Sequence, residues 1–268
     1  SGLGWYHSGV SSLASQQEQQ KHTYTHMAAR KRMVALSVHL RFSMQSERIV
    51  RYINEEARRQ FTGIQQDFTL HVPHVTLFST LFVRDNAGIR QTMLELISGH
   101  FRPFKVKATR VKTIPGDYVV LEVESDKLFQ LQSKTIHALT PYVSKRPYVP
   151  KWIEAYPAAQ AEKKAGYLLK FGSPNVFDEY DPHVTLARFA NGEGTTEEQL
   201  RDVEMVCARA FEQAKEEEQH VQDEGSEDSV EEDHQGRPLE LVLDSMRVAR
   251  TEAYGVIKRD AASTQARR

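Results

Sequence analysis

The chain has 268 residues, 40% of them hydrophobic and 26% charged, with 35 Lys and Arg against 36 Asp and Glu. That is apolar material for a sizeable core in one domain or at most two, with no apolar run near the ~18 residues of a membrane span and a single cysteine, Cys207, which excludes a disulfide framework and any thiolate-rich metal site. The net charge of −1 hides an asymmetry: residues 216–233 carry ten acids and no Lys or Arg, so the rest of the chain stands at +9, a sign that favours anionic partners such as nucleotides or RNA.

Residues 1–32 are rich in Ser, Gln and His, lack an apolar period, and read as a flexible N-terminal extension. From Met33 the texture changes. Met33–Leu40 is β-rich, and Ile49, Val50, Ile53, Ala57 and Phe61 follow at helical spacing. His71–Leu81 is again strand-like. Asp85 is placed to cap a helix through Ile89, Leu94, Leu96 and Ile97 that stops near Gly99. Phe104–Ile114 and Tyr118–Val123 flank the turn pair Pro115-Gly116 and read as a hairpin. Asp126 opens a helix carrying Leu128, Leu131, Ala138 and Leu139, with Pro141 just beyond it.

Residues 142–166 carry Pro147, Pro150 and Pro157 among Tyr148, Trp152 and Tyr156 and read as a long loop insertion. Gly166–Phe171 and His183–Phe189 read as strands. Thr195 or Thr196, with Glu198 or Gln199 three residues on, is a capping-box signature. The helix behind it aligns Leu200, Val203, Val206, Cys207, Ala210 and Phe211 on one face, which makes Cys207 a packing residue. The acidic stretch over 216–236 reads as a disordered loop. Leu239–Val248 and Tyr254–Ile257 are the last strands before a flexible tail, 259–268. Strands and helices alternate with hairpins between them, so the expected class is α+β with a mostly antiparallel sheet, in one domain over 33–258.

One segment occurs twice. Pro73-His74-Val75-Thr76-Leu77 returns as Pro182-His183-Val184-Thr185-Leu186, each time in a predicted strand followed by a predicted helix. On a strand, residues i and i+2 share a face. His74 therefore projects with Thr76, and His183 with Thr185, while Val75, Leu77, Val184 and Leu186 turn to the core. Two such pairs across a groove would place two imidazoles and two hydroxyls around one phosphate. A neutral imidazole can take a proton from the attacking oxygen while a protonated one gives a proton to the leaving oxygen. Thr76 and Thr185 can donate to the non-bridging oxygens. No metal and no cofactor is needed for that chemistry. His71 and His74, at i and i+3, face opposite sides of a strand and make a poor metal pair. Neither GxxxxGK[ST] nor GxGxxG is present. His39, His100, His137, His220 and His234 lack such a context and read as packing or solvent residues. Tyr148, Trp152 and Tyr156, interleaved with Lys145, Arg146 and Lys151, suit stacking on the bases of single-stranded RNA, which makes Tyr148 and Trp152 candidate substrate-binding residues. The alternative is that these rings pin the insertion onto the body.

Two HxTφ motifs about a hundred positions apart, each in a strand followed by a helix, resemble the 2H phosphoesterase superfamily, and within it the branch of 2′-5′ RNA ligases and RNA 2′,3′-cyclic phosphodiesterases. The resemblance covers roughly Met33 to Lys258. It implies a bilobal fold whose two pseudo-symmetric lobes each present one motif to a central cleft. It also implies a metal-independent phosphodiesterase acting on 2′,3′-cyclic phosphates, 2′-5′ linkages or RNA 3′ ends, with His74, Thr76, His183 and Thr185 catalytic. The second copy continues as Ala187-Arg188, and the HxTLxR form of the branch makes Arg188 a phosphate-binding residue; the first copy has Ser79 there. A binding module or scaffold domain using the same cleft without turnover is the alternative. The expected partners are RNA or a nucleotide, with no membrane, for a monomeric protein. The lone cysteine fits a reducing compartment, the cytoplasm, with mitochondria or nucleus as alternatives.

Overall fold

The computed structural model describes residues 33–83, 86–144, 149, 151–189, 195–223, 238–250 and 257. The N-terminal extension, Asp85, Tyr148 and the C-terminal tail lie outside them. In chain order the strands are β1 (Met33–Phe42), β2 (His74–Val83), β3 (Phe104–Ile114), β4 (Tyr118–Glu124), β5 (His183–Arg188) and β6 (Leu239–Arg250). The helices are α1 (Met44–Gln60), α2 (Asn86–His100), α3 (Asp126–Leu139), α4 (Ala158–Phe171) and α5 (Glu197–Asp223). The class is α+β, as the alternation of strands and helices predicts.

The six strands form one sheet in the order β2-β1-β6-β3-β4-β5, every neighbouring pair antiparallel. The order has a pseudo-twofold axis between β6 and β3: each half runs from a motif strand at its outer edge, β2 or β5, through a middle strand to the shared centre. The two lobes are thus halves of one continuous sheet. The last strand, β6, completes the first lobe. The helices interlock the halves, because α1 packs against α5 and β5 whereas α3 packs against α2 and β2. Although β2 and β5 are the two edges, they touch, so the sheet curls until its outer strands meet.

Local sequence explains the element ends. The Ser43 hydroxyl accepts from Ser46 N at 3.3 Å and caps α1. At α5, Thr196 Oγ1 accepts from Gln199 N at 3.1 Å while Gln199 Oε1 accepts from Thr196 N at 3.0 Å, the reciprocal capping box expected there. Val203, Val206, Cys207, Ala210 and Phe211 of α5 are buried. Burial pushes the Cys207 thiol up to about 12, so it packs rather than reacts.

Two expectations are corrected. The end of the stretch read as a 142–166 insertion, and the strand expected at Gly166–Phe171, form one helix, α4, preceded by a 3-10 turn over Lys151–Ala155. Ala158, Ala159, Ala161 and Ala165, with Pro157 at the N-cap and Gly172 beyond the C-terminus at φ 77°, outweigh the β character of Tyr167-Leu168-Leu169. The acidic run does not begin as a disordered loop. Glu216–Asp223 continues α5, where Glu and Gln are good helix formers, and residues 224–237 lie outside the described residues.

Candidate active site

The repeat is longer in space than in the sequence read as identities. His74 and His183 are 109 positions apart, and the same offset pairs Gly63 with Gly172 and Phe68 with Phe177. Both glycines take positive φ, 87° and 77°, a conformation that costs an L side chain energy. Each glycine opens a connecting segment that passes its Phe and enters its motif strand at Pro73 or Pro182. Extending the repeat backwards in register would have exposed this in the sequence.

Within each motif strand the pattern predicted from alternation holds. Val75, Leu77, Val184 and Leu186 are at most 1% exposed, whereas His74, Thr76, His183 and Thr185 are half-buried on the opposite face. A bulge then interrupts both strands at the same place. Opposite Val38 and His39 stand Phe78 and Thr76, leaving Leu77 extra; opposite Val119 and Val120 stand Ala187 and Thr185, leaving Leu186 extra. The extra residue resets the alternation. Ser79 and Arg188, an odd number of positions from the histidines, therefore come onto the histidine face.

Cross-strand pairs show what surrounds each histidine. In the first lobe His74 stands opposite Arg41, and Thr76 opposite His39, itself opposite Arg247. In the second lobe His183 stands opposite Glu122, itself opposite Arg110, while Thr185 stands opposite Val120, itself opposite Lys112. Glu122 accepts from Arg110 at 2.7 Å and Lys112 at 2.6 Å, and Lys112 also reaches Asp181 at 3.1 Å. The place opposite the histidine holds a cation, Arg41, in the first lobe and a carboxylate, Glu122, in the second.

The two imidazoles are held alike. His74 Nδ1 lies 2.8 Å from Val72 O, and His183 Nδ1 lies 2.6 Å from Asp181 O, in both cases the carbonyl two residues back. A carbonyl only accepts, so Nδ1 carries the hydrogen and Nε2 is left as the proton-exchanging atom. Burial lowers both pKa values. For His74, burial with the charges of His183 and Arg41 brings the value to about 4, against the opposing bond to Val72. For His183, burial lowers the pKa, the Asp181 carbonyl and the Asp181 and Glu122 carboxylates oppose, and Lys112 adds to the lowering. The influence of His183 on His74 sets the two rings within reach of one electrostatic field.

Further contacts tie the half-sites together. The Tyr180 hydroxyl, three residues before His183, donates to Thr76 O at 3.0 Å, and Gln65 N donates to Arg188 O at 2.8 Å. Arg188, the candidate phosphate-binding residue, is on the histidine face but only 3% exposed, its guanidinium 5.2 Å from the centroid of the Tyr118 ring. Tyr148 lies outside the described residues, and Trp152 belongs to the 3-10 turn before α4. Tyr156 is half-buried under the Lys164 ammonium, 4.8 Å from the ring centroid. His39 is a packing residue, as its lack of motif context predicts, and the ring it packs against is that of His74. It is fully buried with its ring 5.2 Å from that of His74, edge to face, and its own Nδ1 is 3.4 Å from the carbonyl two residues back, at Ser37.

Residues 47–215 match the model of the 2′-5′ RNA ligase superfamily. The chain belongs to this superfamily, one of the 2H phosphoesterase families. Among solved structures it is similar to Usb1 of Kluyveromyces marxianus, at 11% identity over 85% of this chain and 97% of that chain, with a TM-score of 0.42. No curated protein matches it. Among the described residues no helix is long and apolar enough to cross a membrane.

Proposed function

We propose that the protein is a metal-independent phosphodiesterase acting on RNA ends or small nucleotides that carry a 2′,3′-cyclic phosphate or a 2′-5′ linkage. The observation that carries this reading is the matched pair of Nδ1–carbonyl bonds, which leaves two Nε2 atoms for proton transfer in a duplicated setting. The charge neighbours support a division of roles. His74, beside Arg41, stays neutral and acts as base. His183, beside Asp181 and Glu122, is the one that takes a proton from solvent when a bound phosphate anion favours its charged form, and it acts as acid. Water gives a proton to His74 Nε2 as its oxygen bonds to phosphorus. The P–O bond to the leaving ribose oxygen breaks as that oxygen takes the proton of His183 Nε2. Thr76 and Thr185 donate to the non-bridging oxygens, and Arg188 offsets their charge. Tyr148 and Trp152 are proposed to stack on bases.

The test is incubation in EDTA with 2′,3′-cyclic nucleotides and with short 2′-5′ and 3′-5′ oligonucleotides. Turnover of a cyclic phosphate or a 2′-5′ linkage is expected to persist in the chelator. Binding without turnover would make the cleft a recognition module, and activity restored only by a divalent ion would overturn the two-histidine mechanism.

A further inference from the structure

Two buried side-chain amides hold the segments that lead into the motifs, and they do so in the same register. Asn54 of α1, fully buried, donates from Nδ2 to Gln66 O at 2.9 Å and accepts at Oδ1 from Phe68 N at 3.4 Å. Gln132 of α3, 1% exposed, donates from Nε2 to Asn175 O at 3.1 Å and accepts at Oε1 from Phe177 N at 3.1 Å. Gln66 and Phe68 are eight and six residues before His74; Asn175 and Phe177 are eight and six before His183. The two amides differ in kind and in place. Asn54 is eleven residues beyond the N-cap Ser43, whereas Gln132 is seven beyond Ser125, so the longer side chain reaches the same backbone pair from one turn earlier.

The clamps differ in one further bond. Asn54 Nδ2 also donates to Leu186 O at 2.7 Å, and Leu186 is the extra residue of the bulge that follows Thr185. One side chain thus grips the approach to the first motif and the bulge of the second. Gln132 instead secures Phe177, a non-glycine residue at φ 55°, a conformation that persists only where its surroundings hold it.

We propose that Asn54 and Gln132 are positioning residues for the two half-sites, with Asn54 fixing one half-site against the other. This rests on the two-histidine reading only for its effect on turnover. Each histidine sits six residues beyond its clamped Phe, and its Nδ1 bonds to the carbonyl two residues back, so slack in the approach segment is passed to the ring. Displacement of a reacting group by about 1 Å costs on the order of 10²-fold in rate. Asn54→Ala is therefore expected to lower kcat about 10- to 100-fold while KM changes less than about threefold.

The test compares wild type, Asn54→Ala and Gln132→Met by nitrogen-15 NMR of the histidine rings across pH, beside their thermal melts and kinetics. Gln132→Met is expected to alter the tautomer and titration of His183 and leave His74 as in wild type; Asn54→Ala is expected to alter both. Should Asn54→Ala fail to fold, Asn54→Ser keeps one hydroxyl donor and carries the same comparison. Folded variants with lowered melting temperatures but both imidazoles unchanged would overturn the proposal and leave the amides merely structural. The NMR readout does not depend on turnover. The crossed pattern in a protein that hydrolyses none of the nucleotides would reject the enzymatic reading and keep this one, and normal imidazoles in an active protein would do the reverse.

Discussion

His74 and His183 share their sequence neighbours and their hydrogen bond and differ in the charge beside them, Arg41 in one case and Glu122 with Asp181 in the other. In the proposed mechanism that difference makes the pair directional. His74→Ala and His183→Ala are each expected to remove about 10²- to 10⁴-fold of turnover. The double variant should be little slower than the slower single one, because coupled proton transfers are non-additive. Thr76→Val and Thr185→Val keep the β-branched shape and should each cost about 1.5–3 kcal/mol, one hydrogen bond to a charged group. Full turnover in either folded His→Ala protein would reduce the repeat to a structural echo. Paired histidines suggest a pH profile centred on neutrality, but both shifts here are downward. The proposed mechanism needs His74 neutral, with a pKa of about 4, and His183 protonated, its pKa lowered by burial, before substrate binds. The profile of kcat/KM should therefore be a bell whose maximum lies on the acid side of pH 6.5, its limbs belonging to the pair. An optimum above pH 7 would contradict the assignment.

At the scale of elements, what could be read from the sequence was whatever rests on periodicity. The alternation of His74 to Leu77 placed each side chain on its observed face, and α5 presents the apolar stripe its spacing predicts. What escaped depends on backbone events that periodicity does not encode. The bulges at Leu77 and Leu186 put Arg188 on the histidine face against simple alternation. α4 was hidden because Tyr167-Leu168-Leu169 suits a strand, although Pro157 and Gly172 frame a helix. His39 became a neighbour of His74 only through the register of β1 with β2. The paired glycines Gly63 and Gly172 yield a prediction that sequence symmetry alone would get wrong. At Gly63 an added Cβ lies 3.8 Å from Phe189, so Gly63→Ala should cost only the left-handed backbone, about 1 kcal/mol. At Gly172 it would lie 2.3 Å from Val143 Cγ1 and 2.5 Å from Thr80 Oγ1. Gly172→Ala should add about 1–3 kcal/mol of overlap to the same strain. It should also disturb the bond from Thr80 Oγ1 to Gly172 O, which ties β2 to the approach of the second motif. Chemical denaturation of the two variants checks the order; equal losses would contradict it.

Across the whole molecule, curling one sheet until its outer strands meet brings both motif histidines together, and it also takes imidazoles out of water. His39, His74 and His183 all have folded pKa values below 6.5, burial being the largest cause each time, and His39 lies well below. The direction of the resulting pH dependence follows from linkage. Above pH 6.5 these rings are neutral whether the chain is folded or not, and they contribute no slope. Below 6.5 the unfolded chain binds protons that the folded protein refuses, so stability falls with pH until each folded pKa is passed, near 4 for His74. Each ring contributes about 1.4 kcal/mol per pH unit within its window, on the order of 3 kcal/mol in all for His74. Glu122, Asp67 and Glu179 have depressed pKa values and also favour the folded state at neutral pH, but their losses begin only near the ordinary carboxylate range. The interval from pH 6.5 to 5 therefore isolates the imidazoles. Urea unfolding at pH 7.5, 6.5, 5.8 and 5 (values chosen to bracket the ordinary histidine pKa) should show little change across the first step and a steepening loss after it. His39→Phe keeps a ring against His74 and removes one titrating group, so it should flatten the loss by about a third if the three rings contribute alike. A substrate phosphate favours the charged imidazoles it faces and should reduce the acid loss when present in excess. Stability independent of pH from 7.5 to 5 would mean that these rings accept protons in the folded protein, and the neutral state on which the base role of His74 depends would lose its physical support.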